Sequence, residues 1–254
     1  MRPTERFSSR ADHYARYRPA YPQAAIDLLG ERCGLSPRVV VADIGSGTGI
    51  LTEQLLARGA QVIGVEPNDG MRAFAEARLG ANARFRSVNA SAEATTLADA
   101  SVGLLVAAQA FHWFDVPRAR REALRIVKDG GYGALLWNER PLEPDAFLVD
   151  YEALLVRHAA EYPKIKASRA DEPSMRAFLG GTMELATFPN EQTFDLAGLT
   201  GRLMSSSYAP HAGHPQHEPM LAGLREVFRR HAHAGAVVFR YRTLVYFSQL
   251  KPPA

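Results

Sequence analysis

The sequence predicts an α/β fold, a mostly parallel sheet with helices on both faces, and three observations carry that expectation. The run VVVADI (39–44) is apolar and β-branched for most of its length, the pattern of a strand buried on both faces. GSGTG (45–49) follows, then ILTEQLLARG, whose apolar residues recur at helical spacing until Gly59 stops them. The same strand–turn–helix order then repeats along the chain, and such alternation requires right-handed crossovers between parallel strands.

Residues 21–33 predict a helix with Ala24, Ala25, Leu28 and Leu29 on its apolar face, closed by Gly34 and Pro37; a polar, aromatic arm precedes it. Beyond the glycine turn, QVIGVE reads as a strand, DGMRAFAEARLG as a helix, ARFRSV and VGLLVAA as strands, DVPRARREALRIVK as a helix and GYGALLW as a strand. After Trp137 the pattern loosens. AFLVDYEALLVRHAAEY and PSMRAFLG predict helices with no strand between them, so residues 141–182 are expected to form a helical lid. EQTFDL, a helix around EPMLAGLREVFRRHAH and the alternating strand AVVFRYRTLVYFSQ close the chain. The expectation is one domain over 1–254, with an arm and helix at 1–37, a core at 38–140, the lid insert at 141–182 and C-terminal strands completing the sheet at 183–254.

With 254 residues, 46% of them hydrophobic, the chain can bury a large core. A net charge of +3 without a long basic run argues against a nucleic-acid groove. Cys33 is the single cysteine, which leaves no intrachain disulfide or cysteine metal cluster and suggests a reducing, cytoplasmic setting. The N-terminus lacks a signal-type apolar core, and VGLLVAAQAF falls short of the ~20 residues a membrane span needs, so no membrane association is expected.

The glycine turn raises the question of a cofactor. A dinucleotide site reads G-x-G-x-x-G, whereas here Gly45, Ser46, Gly47, Thr48 and Gly49 bring the third glycine one residue early. Asp43 would face a phosphate with like charge, but it suits a ligand ammonium. S-adenosyl-L-methionine offers that ammonium and carries no phosphate, and glycine still lets the backbone approach it. Glu66, at the tip of the second strand, is placed for two ribose hydroxyls.

DIGSGTG resembles the first motif of the class I S-adenosylmethionine-dependent methyltransferases, GVEPNDGM their second-strand motif, NASAEATTLADASVGLLVAAQAFHWFD their third and fourth, and EALRIVKDGGYGALLW the segment leading into strand five. YARYRPAYP, AFHWF and GRLMSSSYAP are similar to a subgroup that includes fungal trans-aconitate methyltransferase. The resemblance implies a Rossmann-like seven-stranded sheet with an antiparallel last strand. It implies that Asp43, Gly45 and Gly47 hold the methionine end and Glu66 the ribose, with Ser46 and Gly49 also among the cofactor-binding residues. Pro67 and Asn68 would border the adenine, Ser91 and Ala92 contact its edge, and Gln109 sit near the sulfonium. The amino-methylating DNA enzymes carry (D/N)PPY where this chain reads AQAF, and cytosine carbon methylation needs a thiolate, whereas Cys33 lies before the first motif.

Beyond the cofactor, His112 follows the fourth strand, where the binding crevice of a parallel sheet lies, and is the candidate general base. Trp113 is a candidate cover; packing of Phe111 and Trp113 on the sheet is the structural alternative. Tyr14, Tyr17 and Arg18 on the arm are candidate substrate residues, with Arg18 suited to a carboxylate; a surface arm pinned by its tyrosines is the other reading. His211, His214 and His217 lie three apart, but in a run with prolines and a glycine, which reads as a solvated loop rather than a metal site. The resulting expectation is methyl transfer to a small-molecule acceptor, a carboxylic acid by the subgroup resemblance. RNA or protein methylation and a non-catalytic, cofactor-binding regulator stay open.

Overall fold

The computed structural model describes residues 11–141, 145–163, 171–180 and 182–253. Residues 1–10 of the arm, and 142–144, 164–170 and 181 of the expected lid, lie outside the described residues.

In chain order the elements are α1 (Ala11–Tyr17), α2 (Gln23–Cys33), β1 (Val40–Ile44), α3 (Ile50–Ala57), β2 (Gln61–Val65), α4 (Asp69–Leu79), β3 (Phe85–Val88) and β4 (Val102–Ala108). A single 3₁₀ turn (Phe111–Trp113) leads to α5 (Val116–Ile126), β5 (Val127–Glu139), α6 (Ala146–His158) and α7 (Glu172–Leu179). The chain ends with β6 (Glu184–Phe194), α8 (Leu196–Met204), α9 (His217–His231) and β7 (Val237–Gln249). Side-chain caps set several helix starts. Asn68 accepts from the N–H of Met71, Asp115 from Arg118, Asp145 from Leu148, Asp171 from Ser174 and Asp195 from Gly198.

The seven strands form one sheet in the order β3-β2-β1-β4-β5-β7-β6. The first five are parallel, and β7 runs antiparallel to both β5 and β6, as expected for the last strand. The strand order reverses between β1 and β4, where the sheet opens a crevice at its carboxyl edge. Ala42 pairs with both Ile63 and Leu105, so the loops after β1, β2 and β4 leave the sheet side by side.

One face is covered by α2 and α3, with Ile26, Leu29, Leu51 and Leu55 buried against Val41, Leu104, Val106 and Leu136. On the other face α5 and α7 bury Ala119, Ala123, Ile126, Met175, Phe178 and Leu179. This corrects the reading of 141–182 as one lid. The second helix of that segment belongs to the sheet, where the ring centroids of Phe178 and Phe111 lie 5.1 Å apart.

A third apolar cluster stands beyond the carboxyl edge. β5 ends its pairing at Glu139 opposite Arg242, yet β6 and β7 stay paired up to Phe194 and Val237. Against this projecting ribbon α6, α8 and α9 bury Tyr151, Leu155, Leu199, Leu203, Met220 and Leu224, with Phe239 at the centre. The cap thus comes from three separate parts of the chain. Two of the helices nearest the crevice, α1 and α8, are not predicted from the sequence as helices. The signal for α8 lies in Asp195 as cap followed by Leu196, Leu199 and Leu203 at helical spacing.

Candidate functional site

A cavity of about 390 Å³ occupies the crevice under this cap. A smaller recess of about 50 Å³ shares Tyr14, Arg18, Gly45, Gly47, Gln109 and Arg202 with it as walls. Of the residues expected from sequence, Glu66, Pro67, Asn68, Ser91, Ala92, Gln109, His112 and Trp113 line the larger cavity. Asp43, Gly45, Ser46 and Gly47 line the recess.

The turn after β1 is built by close approach. Gly45 has φ +70°, and a Cβ placed there would lie 2.5 Å from that of Ala110, which follows β4. The two loops of the switch point can therefore meet only over a residue without a side chain. Gly49 does something else. It is not among the cavity walls, and a Cβ on it would meet Leu79 of α4 at 2.7 Å, so its role is helix packing rather than ligand approach.

Asp43 is 1% exposed. Thr52 Oγ1 donates to its Oδ2 at 2.7 Å, while Oδ1 is buried without a partner among the described residues. Burial pushes its carboxyl up to about 7, against the Thr52 hydrogen bond. Glu66 accepts from two backbone amides: Gly47 N–H donates to Oε2 at 2.9 Å and Asn68 N–H to Oε1 at 2.8 Å. Burial raises its pKa, and those two amides oppose the rise. Gln109, the residue after β4, has φ 58°, a left-handed backbone uncommon outside glycine, and its Nε2 donates to the carbonyl of Asn138 at 3.2 Å.

On the cap side the walls are cationic and phenolic. Arg18 Nη2 donates to the carbonyl of Ser205 at 3.2 Å and to Ser206 Oγ at 3.5 Å, its guanidinium lies 4.8 Å from the Tyr14 ring, and its Nε is buried without a partner among the described residues. Burial lowers the Arg18 pKa, and Arg202 adds to the effect. Arg202, 3% exposed, donates from Nε to Tyr241 Oη at 2.9 Å and packs 5.2 Å from the Phe239 ring centroid. No salt bridge joins Arg18 or Arg202 to a carboxylate among the described residues. Arg140 is paired: Nη2 donates to Glu152 Oε2 at 3.0 Å and to Tyr162 Oη at 2.6 Å. Tyr208 lies 4.8 Å from Tyr162, ring to ring. Burial by itself would raise the Tyr208 pKa, yet Arg140, Arg202 and Arg18 bring it below its ordinary value.

Tyr14 and Arg18 therefore reach the cavity, as does Trp113, which is 41% exposed at its edge with the His112 ring 4.7 Å away. Tyr17 does not. Its ring lies on the backbone of Gly201 in α8, a correction to its reading as a substrate residue, because side chains one position before Arg18 point to another side of the arm helix. Arg140, Tyr162, Arg202 and Tyr208 are walls that sequence reasoning missed. His211 and His214 stand exposed, and His217 Nδ1 sits 2.9 Å from the carbonyl of Pro210. No cluster of three metal-ligating side chains occurs among the described residues.

Fold and crevice together define a Rossmann-like protein with a glycine turn, a first-strand aspartate and a second-strand glutamate around one pocket. Residues 42–135 match the family model of the methyltransferase domain. An uncharacterised methyltransferase of Mycobacterium tuberculosis is 38% identical over 134 residues, which are 53% of this chain and 52% of that one. The chain thus spans about half the length of the curated relatives it matches. A structure assigned as a type II methyltransferase of Anaeromyxobacter dehalogenans superposes with a TM-score of 0.63 at 22% identity, covering 93% of this chain and 99% of that one. Phospholethanolamine N-methyltransferase 2 of Haemonchus contortus, solved with S-adenosylhomocysteine, gives 0.59 at 13% identity over 96% of this chain and 57% of that one. Residues 42–135 thus match a methyltransferase domain, and the chain shares its fold with solved structures described as methyltransferases.

Proposed function

We propose that this protein transfers a methyl group from S-adenosyl-L-methionine to a small-molecule acceptor that carries a carboxylate. The cofactor fit rests on the recess. Among the described residues it holds one buried anionic atom without a partner, Asp43 Oδ1, and one buried cationic atom without a partner, Arg18 Nε. An amino acid zwitterion satisfies both, its ammonium toward Asp43 and its carboxylate toward Arg18. Glu66 would hold the ribose, Pro67, Asn68, Ser91 and Ala92 would border the base, and Ser46, Gly47 and Gln109 would line the methionine side. The Haemonchus neighbour, solved with the demethylated cofactor, supports the same reading.

The observation that carries the acceptor class is Arg202, which is held by Tyr241 and Ser206 but has no carboxylate partner among the described residues. Its guanidinium is buried beside that of Arg18, and two like charges out of water are costly unless an anion joins them. An acceptor carboxylate in the larger cavity would meet Arg202, with Tyr208 and Ser207 beside it. With its amino acid end in the recess, the cofactor would supply an electrophilic methyl carbon on a sulfonium. The chain's own work is to hold the acceptor oxygen in line and to exclude water, and an ionised carboxylate needs no base. The resemblance to the aconitate-type subgroup points the same way.

The test is labelled S-adenosylmethionine with a panel of small carboxylic acids. Label should appear in an alkali-labile methyl ester, and Arg202→Met should raise the acceptor KM by about 10–100-fold, the scale of one lost charge-assisted hydrogen-bonded pair. Label passing to RNA or protein instead, or tight cofactor binding without transfer to any acceptor, would overturn the acceptor reading.

A further inference from the structure

The arm helix α1 has seven residues, too few to hold its own orientation in water, so its place over the crevice must come from docking. Its root is tied down by side chains of the sheet and of α3. Asn138 Nδ2 and Asn190 Nδ2 donate to the carbonyl of Ala20 at 3.3 and 2.8 Å. Gln54 exchanges two hydrogen bonds with the backbone of Tyr21, at 3.0 and 2.7 Å. These contacts fix where the arm leaves the core, not how it turns.

The turn is set at α8. A Cβ built on Gly201 would lie 2.2 Å from Tyr17 Cε2 and 2.3 Å from its Cζ, so the tyrosine ring rests on bare backbone. Gly201 needs no special backbone freedom, because it lies within the α-helix Leu196–Met204 and is not among the residues with positive φ. Glycine in a helix interior lowers helix stability relative to alanine. What the position requires is the absence of a side chain beneath the ring. Ordinary carbon contacts need ~3.5–4.0 Å, so one methyl group would displace the arm by roughly 1.5 Å.

We propose that Tyr17 and Gly201 are a positioning pair: the ring seated on the glycine orients α1 so that Tyr14 and Arg18 form the wall of the recess. The pair touches no ligand. It acts through Arg18, the next residue along the chain, whose guanidinium is held by Ser205 and Ser206 at the end of the same helix that carries Gly201. The proposal rests on the reading that the recess takes the amino acid end of the cofactor.

The experiment measures S-adenosylhomocysteine binding by calorimetry, together with thermal melting of the ligand-free protein, for Gly201→Ala, Tyr17→Phe, Tyr17→Ala, the double variant Tyr17→Ala/Gly201→Ala and Arg18→Ala. Gly201→Ala should lose affinity by about 10–100-fold, as a displacement near 1 Å does at a positioned site. Its melting temperature should stay or rise, which loss of fold would not produce. Tyr17→Phe, which keeps the ring on the glycine, should bind more tightly than Tyr17→Ala. Removing the ring in the Gly201→Ala background should restore affinity to that of Tyr17→Ala alone, because the clash is gone. Unchanged binding by Gly201→Ala, or losses that add in the double variant, overturns the pair. Arg18→Ala binding as tightly as the parent overturns the reading of the recess instead, whatever Gly201→Ala shows.

Discussion

Thr52 Oγ1 holds one oxygen of Asp43 at 2.7 Å and leaves the other buried and unpaired at the wall of the recess. The aspartate is thus oriented by the helix that follows the glycine turn, and its free oxygen waits for a donor that the described protein residues do not supply.

That arrangement makes the ligand-free protein sensitive to pH. Burial raises the Asp43 pKa from 3.8 to about 7, so the ionised form is disfavoured in the folded state. For an acid shifted upward the penalty is absent below pH ~4, grows as pH rises, and is complete above pH ~7, where it reaches about 4 kcal/mol on the scale of 1.36 kcal/mol per pH unit. Asp43→Asn should therefore raise the melting temperature at pH 8 and have little effect near pH 4. The same substitution should weaken S-adenosylhomocysteine binding. Equal melting shifts at both pH values would show that Asp43 does not titrate in this range.

Glu66 bridges the loops that follow β1 and β2, since its oxygens accept from Gly47 and Asn68. Each carboxylate oxygen keeps a further lone pair for a ribose hydroxyl. Glu66→Ala should weaken S-adenosylhomocysteine binding by at least tenfold, charge-assisted hydrogen bonds being worth ~1.5–3 kcal/mol each before water compensates. Glu66→Gln should retain part of the affinity through its remaining acceptor oxygen. A dissociation constant unchanged in both variants would remove Glu66 from the ribose.

Gly45→Ala should damage the site more than the Ala110 contact alone explains. The methyl group meets Ala110 at 2.5 Å, and φ +70° is itself unfavourable for alanine. Relieving the contact with Ala110→Gly should recover only part of the loss in melting temperature, leaving roughly 1–2 kcal/mol for the left-handed backbone. Full recovery in the double variant would assign the whole effect to the contact.

His112 separates acceptor classes. It lines the larger cavity beside Trp113, within a 3₁₀ turn just past β4. A carboxylate acceptor arrives ionised, so His112→Ala should cost less than about tenfold in turnover with a carboxylic acid. A phenol, alcohol or ammonium must lose a proton, and there the loss should reach about 10²–10⁴-fold, the usual contribution of a placed general base. A large loss with a carboxylic acid, cofactor binding intact, would give His112 an essential role that the proposed mechanism does not include.

The crevice was legible in the sequence because its parts are local. Asp43, Gly45, Gly47, Glu66, Ser91 and Gln109 each end a strand or begin the loop after it, and a parallel sheet brings those ends to one edge whatever else the chain does. Gly49 was read correctly as part of the turn, but its function depends on Leu79 in α4, which spacing alone does not reveal. Residues 172–179 show the same limit. Their amphipathic pattern announces a helix, yet only Phe111 and Phe178 in contact show that it covers the sheet rather than the crevice.

The cap was not legible, and the reason is distance along the chain. Arg18 reaches Ser205 across 187 residues, and Arg140, Glu152 and Tyr162 converge from the end of β5 and from the segment after it. A buried arginine carries no periodic mark in sequence, since arginine is by default a surface residue and is buried only where partners from elsewhere surround it. The order of apolar runs and the glycine turn by themselves determined the parallel core of the sheet and the acids at its edge, because right-handed crossovers bring the carboxyl ends of successive strands to one side. Which guanidiniums are drawn out of water above that edge, and how the arm is seated among them, was decided only by the packing of α1, α6, α8 and α9 on the β6–β7 ribbon, since desolvation of a charge depends on every group that surrounds it.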